Sequence, residues 1–104
     1  MTTKKSDAVR FMEKITGGPL TLARILKSSR LCEEMSQVAF AKKLGIPKQN
    51  LCDIEKGRRF VSPQLAAQFA RKLGFSEKQF VRIALQDLLS RQRLNYAVYL
   101  KEAA

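Results

Sequence analysis

The sequence predicts an all-α domain of five helices with a possible short strand at its C-terminal end. Three features carry that prediction. Apolar residues recur at helical spacing along most of the chain, Ser or Thr stands just ahead of several of these stripes, and glycine or proline closes them at short intervals. At 104 residues the chain has room for one core and short tails.

Taken in order, the first candidate helix runs from Asp7 to Thr16 after Ser6, with Val9, Met12 and Thr16 on one side and Phe11 and Ile15 beside them. Gly17-Gly18-Pro19 ends it. A helix this short is marginal in water by itself. It therefore either packs Phe11, Met12 and Ile15 on the core or awaits a protein ligand. Next, Thr21 caps a helix from Leu22 to about Leu31, in which Leu22, Ile25, Leu26 and Ser29 form a buried stripe. Ser36 caps a shorter helix bearing Val38, Phe40, Ala41 and Leu44, and Gly45 closes it. Pro47 opens the following helix as a first-turn proline, so Gly45-Ile46-Pro47 reads as a tight corner between two helices. That second helix continues from about Lys48 to Lys56 through Leu51 and Ile54, and stops at Gly57.

Beyond it, Ser62-Pro63 starts a helix with Leu65, Phe69, Ala70 and Leu73 on its inner face, ended by Gly74. Ser76 with Gln79 three residues on resembles a capping box, and it opens a last helix carrying Phe80, Val81, Ile83, Ala84, Leu85, Leu88 and Leu89. From Leu94 to Leu100 the period changes to two, as in a strand.

Twenty Lys and Arg stand against nine Asp and Glu, a formal net charge of +11. The excess is spread through both halves of the chain rather than gathered in a tail, so it belongs to the folded body and draws polyanions to it. Histidine is absent, and Cys32 and Cys52 stand alone, so no metal site, cofactor or enzyme activity is expected. No apolar run is long enough to span a bilayer, and the polar start from Met1 to Arg10 lacks the core of a secretory signal. The expected location is the cytoplasm, with both thiols reduced and no membrane partner.

Two short helices meeting at a glycine corner form the helix-turn-helix unit, whose second helix enters the major groove. The residues Leu26, Arg30, Met35-Ser36-Gln37, Phe40-Ala41, Gly45-Ile46, Leu51, Ile54-Glu55 and Gly57 follow in order and spacing. In this the chain resembles the phage repressor and Cro type of regulator, the Xre family, over about residues 20 to 75. The resemblance implies a phage-repressor-like helix-turn-helix domain that binds double-stranded DNA. It assigns Gln37 to a phosphate, Lys48, Gln49 and Asp53 to base edges, and Lys56, Arg58 and Arg59 to a clamp on the sugar-phosphate backbone. It also implies an ion pair between Arg30 and Glu55. Lys and Gln suit guanine and adenine edges respectively. Asp53 is either a reader of cytosine N4 or a residue turned away from the groove. Pro47 departs from the family pattern, which has a hydroxyl residue there.

The expected organisation is an arm or marginal helix over 1–19, the DNA-binding domain over 20–75, and a helix and tail over 76–104 that serve dimerisation. Leu85, Leu88 and Leu89 supply surplus apolar surface on the last helix, and Tyr96, Val98 and Leu100 an unpaired strand. The alternative for residues 94–104 is a frayed tail or a helical extension folded back on the core. Two functions suit such a domain: a transcriptional repressor acting as a homodimer on a palindromic operator, or an antitoxin that neutralises a toxin protein through Met1 to Pro19 and regulates its own operon.

Overall fold

The computed structural model describes residues 21–103; the candidate helix from Asp7 to Thr16 lies outside them. The described residues form five α-helices: α1 (Leu22–Cys32), α2 (Gln37–Leu44), α3 (Lys48–Glu55), α4 (Pro63–Leu73) and α5 (Glu77–Arg91). None of them is long and apolar enough to cross a membrane.

The starts of these helices follow from side chains that accept orphan N–H groups. Thr21 accepts from Arg24 N, Ser36 from Ala39 N, Ser62 from Leu65 N and Ser76 from Gln79 N. The capping box at Ser76 is only half formed, because the Gln79 side chain accepts from Arg82 Nε at 3.1 Å instead of reaching back. Pro47 stands one position earlier than a first-turn proline. It has extended ψ (144°) and is the cap residue of α3, contributing no side-chain bond. Its fixed φ of −61° suits either position.

All five helices end alike. The N–H of Met35, Ile46, Arg58, Phe75 and Leu94 each reaches back five residues to the carbonyls of Arg30, Ala41, Asp53, Ala70 and Leu89. The residue before each of these donors has positive φ: Gly45, Gly57 and Gly74, but also Glu34 (55°) and Arg93 (58°). At Gly45 (φ 76°) the requirement is twofold. An added Cβ would meet Lys72 Nζ at 2.6 Å, and that ammonium donates to Leu44 O at 2.8 Å, placing a cation on the C-terminal end of α2. Gly45→Ala is accordingly expected to cost about 1–2 kcal/mol from backbone conformation. Displacement of Lys72 adds to that, and chemical denaturation measures the sum.

One core joins every helix. Leu22 and Leu26 of α1, Phe40 and Leu44 of α2, Leu51 and Ile54 of α3, Phe69 and Ala70 of α4, and Phe80 and Ala84 of α5 are all buried in it. Ala41, 2% exposed, and Ala66, fully buried, let neighbouring backbones approach closely. Helix α5 is therefore part of the same body as the helix-turn-helix. It also holds α1 directly, since Leu22 N donates to Asp87 Oδ2 at 3.2 Å. Burial pushes the Asp87 carboxyl above its usual range, against the Leu22 N–H and the charge of Arg91. A raised carboxyl favours folding most below its unfolded pKa, and that contribution is lost as pH rises through the folded value.

The C-terminal segment corrects the expectation of a strand. No strand occurs among the described residues. Gln86 on α5 holds the segment instead: its Nε2 donates to Tyr96 O at 2.8 Å and its Oε1 accepts from Val98 N at 2.9 Å. One amide thus supplies the pair of bonds that a neighbouring strand would have given. Val98 and Leu100 are half-buried, while Tyr96 (69%) and Tyr99 (59%) face solvent.

Candidate nucleic-acid interface

Helix α3 is set against α1 and α2 by a polar cluster beneath its exposed face. Arg30 Nε and one terminal nitrogen donate to the two Glu55 oxygens at 2.8 and 2.9 Å, and its other terminal nitrogen donates to Met35 O at 3.1 Å. Gln37 Nε2 adds a bond to Glu55 Oε1 at 3.2 Å. Side-chain exposure is 12% for Arg30 and 3% for Glu55, so the bidentate pair is largely shielded from water. Burial pushes the Glu55 carboxyl up. The hydrogen bonds from Arg30 and Gln37 and the charges of Arg30 and Lys27 outweigh it, and the carboxyl lies below its ordinary value. Gln37, which the family resemblance assigns to a phosphate, therefore has one amide hydrogen committed to Glu55 and one left for an anion.

The outer face of α3 begins with Lys48 and Gln49, both exposed, followed by the half-buried Asn50, Cys52 and Asp53. The corner at Gly45-Ile46-Pro47 places Lys48 and Gln49 in the first turn, where the helix N-terminus adds positive potential. Asp53 neither lies free nor turns inward. Its Oδ1 accepts from Gln49 Nε2 at 3.1 Å, one helical turn back, and lies 3.9 Å from Arg58 Nε.

At the other end of α3, Lys56, Arg58 and Arg59 are exposed around Gly57. The Asp53 carbonyl accepts from both Arg58 N (2.8 Å) and Arg59 N (3.2 Å), which fixes the backbone on which these cations stand. Nothing in the local sequence signals the brace behind the loop. Arg91 of α5 donates to Gly57 O at 3.2 Å and lies over the Phe60 ring at 5.7 Å from its centroid. A partner 34 residues away leaves no local pattern to read. The same holds for Lys72 on the end of α2.

Leu85, Leu88 and Leu89 on α5 are half-buried, as are Val98 and Leu100 in the tail. Cys32 is exposed at the end of α1 and Cys52 half-buried in α3. Among the described residues no group of three or more His, Cys, Asp or Glu is arranged to hold a metal ion.

Two short helices joined at a glycine corner, with a polar, cation-flanked second helix facing outward, define a DNA-binding helix-turn-helix protein. The family described as a helix-turn-helix domain matches residues 21–81, more than half of the chain, and the chain belongs to it. The match includes the start of α5, consistent with the shared core. No curated protein and no solved structure matches the chain.

Proposed function

We propose that the protein is a sequence-specific transcriptional repressor of the Xre type, in which α3 lies in the major groove and Lys48 and Gln49 read base edges. The observation that carries this reading is the exposed pair Lys48 and Gln49 at the start of α3, with Lys56, Arg58 and Arg59 at its other end. The first pair can donate to and accept from bases, and the three cations can neutralise phosphates. Selection of bound sequences from a random DNA pool tests it directly: a defined motif supports the reading, and enrichment of nothing sinks it.

Readout and clamping separate by mutation. Lys48→Ala or Gln49→Ala is expected to lose about 1–3 kcal/mol on the selected site and much less on random DNA. Equal losses on both would remove the base-reading role. Arg58→Ala is expected to weaken binding to every sequence and to make the salt dependence shallower by about one phosphate contact. An unchanged slope takes Arg58 out of the clamp.

Action as a homodimer on a palindromic site is part of the proposal, because two heads spaced by one DNA turn, roughly 34 Å, gain the selectivity that one lacks. Leu85, Leu88 and Leu89, with the tail residues Tyr96, Val98 and Leu100, are the surface assigned to it. Truncation after Arg93 is expected to leave a monomer by light scattering. A stable truncated dimer, or a monomeric full-length chain at micromolar concentration, defeats this part. The antitoxin alternative rests on residues 1–19, outside the described structure, and no observation favours it.

A further inference from the structure

The hydrogen bond between Gln49 and Asp53 fixes something that the residue types alone leave open. A glutamine amide has a donor end and an acceptor end of nearly the same shape, and a free one can present either end to a base. Asp53 removes that choice. An ionised carboxylate only accepts, so the end of Gln49 that meets Asp53 Oδ1 at 3.1 Å is the nitrogen, and the amide oxygen points away. Arg58 Nε lies 3.9 Å from the same oxygen, so its charge offsets that of the carboxylate close to the phosphates.

We infer that Asp53 is a positioning residue that locks the polarity of the Gln49 amide and thereby sets which base Gln49 selects. This rests on the placement of α3 in the major groove proposed above. With one amide hydrogen held by Asp53, Gln49 keeps one donor and the carbonyl oxygen for DNA. Adenine offers the matching acceptor and donor, N7 and the N6 amino group, whereas guanine offers two acceptors. The lock therefore favours adenine. It also answers how an aspartate can stand on a face turned towards a polyanion: its two neighbours on the protein use the carboxylate, and cytosine N4 need not.

In an isolated helix a Gln–Asp bond one turn apart is weak. Exclusion of water from the groove strengthens it where it matters. The effect of the lock thus belongs in the base preference rather than in the stability of the fold.

The test is selection from a random DNA pool with the wild type, Gln49→Ala, Asp53→Ala and Asp53→Asn, followed by affinities on single-base variants of the selected site. The wild type is expected to prefer adenine at one position per half-site by roughly tenfold. Gln49→Ala identifies that position by losing the preference there. Asp53→Ala is expected to lose it at the same position, and combining Gln49→Ala with Asp53→Ala is expected to reduce that preference no further. Asp53→Asn keeps the size but offers both a donor and an acceptor, and is expected to relax the preference in the same place. If Asp53→Ala instead changes the preference for a cytosine at another position, Asp53 reads a base itself and the lock is wrong. If it changes no preference, the lock is also wrong while the repressor reading stands. A wild type that enriches no sequence overturns both.

Discussion

Glu55→Ala is expected to destabilise the domain by about 3–5 kcal/mol, the range for removing one partner of a buried ion pair. Glu55 is 3% exposed and accepts from two Arg30 nitrogens and from Gln37. Without it, a guanidinium that is 12% exposed keeps only Met35 O as a partner. The cost is mostly that stranded charge, not the attraction lost, because desolvation cancels much of the gain from forming such a pair. Replacing both partners by apolar residues of similar volume, as in Arg30→Met with Glu55→Leu, is therefore expected to recover most of the loss. The pH dependence has a definite sign. The Glu55 carboxyl is held below its ordinary value, so it stabilises the fold above its unfolded pKa, and that contribution disappears as pH falls through the folded value. Glu55→Ala should lack this acid-side component. Urea denaturation at neutral pH and through the acid range measures both effects. A loss below about 1 kcal/mol at neutral pH would mean that the pair does not fasten α1 to α3.

The helices were legible in the sequence because each carries its own start, and α2, α3 and α4 also a glycine stop. Ser36 and Gly45 bracket α2 within a few residues, and a stripe such as Leu22, Ile25 and Leu26 states which face is buried. The tail was not legible for a physical reason: alternation of apolar residues reports an extended backbone but not what satisfies it. Leu94 to Leu100 alternates, yet the bonds come from the side chain of Gln86 rather than from a strand. Glu34 and Arg93 show a similar limit, since they occupy left-handed positions that sequence reading reserves for glycine. In the candidate interface the residues were legible and their connections were not. The spacing of Lys48, Gln49 and Asp53 puts them on one helix, but nothing in it says that Gln49 and Asp53 hold each other. The braces from Lys72 and Arg91 come from distant parts of the chain and leave no periodic trace.

Phe40→Ala is expected to cost about 3–5 kcal/mol, from lost transfer energy and from a cavity that the surroundings cannot fill. Phe40 is fully buried on α2, between the helices that carry the candidate interface and the rest of the core. A small domain has about 5–15 kcal/mol of stability in all, so this single change consumes a large share of it. DNA binding should then fall because fewer molecules are folded, with every contact intact in those that are. Two consequences separate this from a groove-face substitution. Affinity for the selected site and for random DNA should fall by one common factor, since both need the same folded state, whereas Gln49→Ala changes their ratio. Saturating DNA should also restore much of the lost stability, by about 2.7 kcal/mol when its concentration is a hundred times the Kd. Melting curves with and without the selected site, set beside the two affinities, measure both. A changed affinity ratio in a fully folded Phe40→Ala protein would show that α2 shapes the reading of DNA directly and is more than a support for α3.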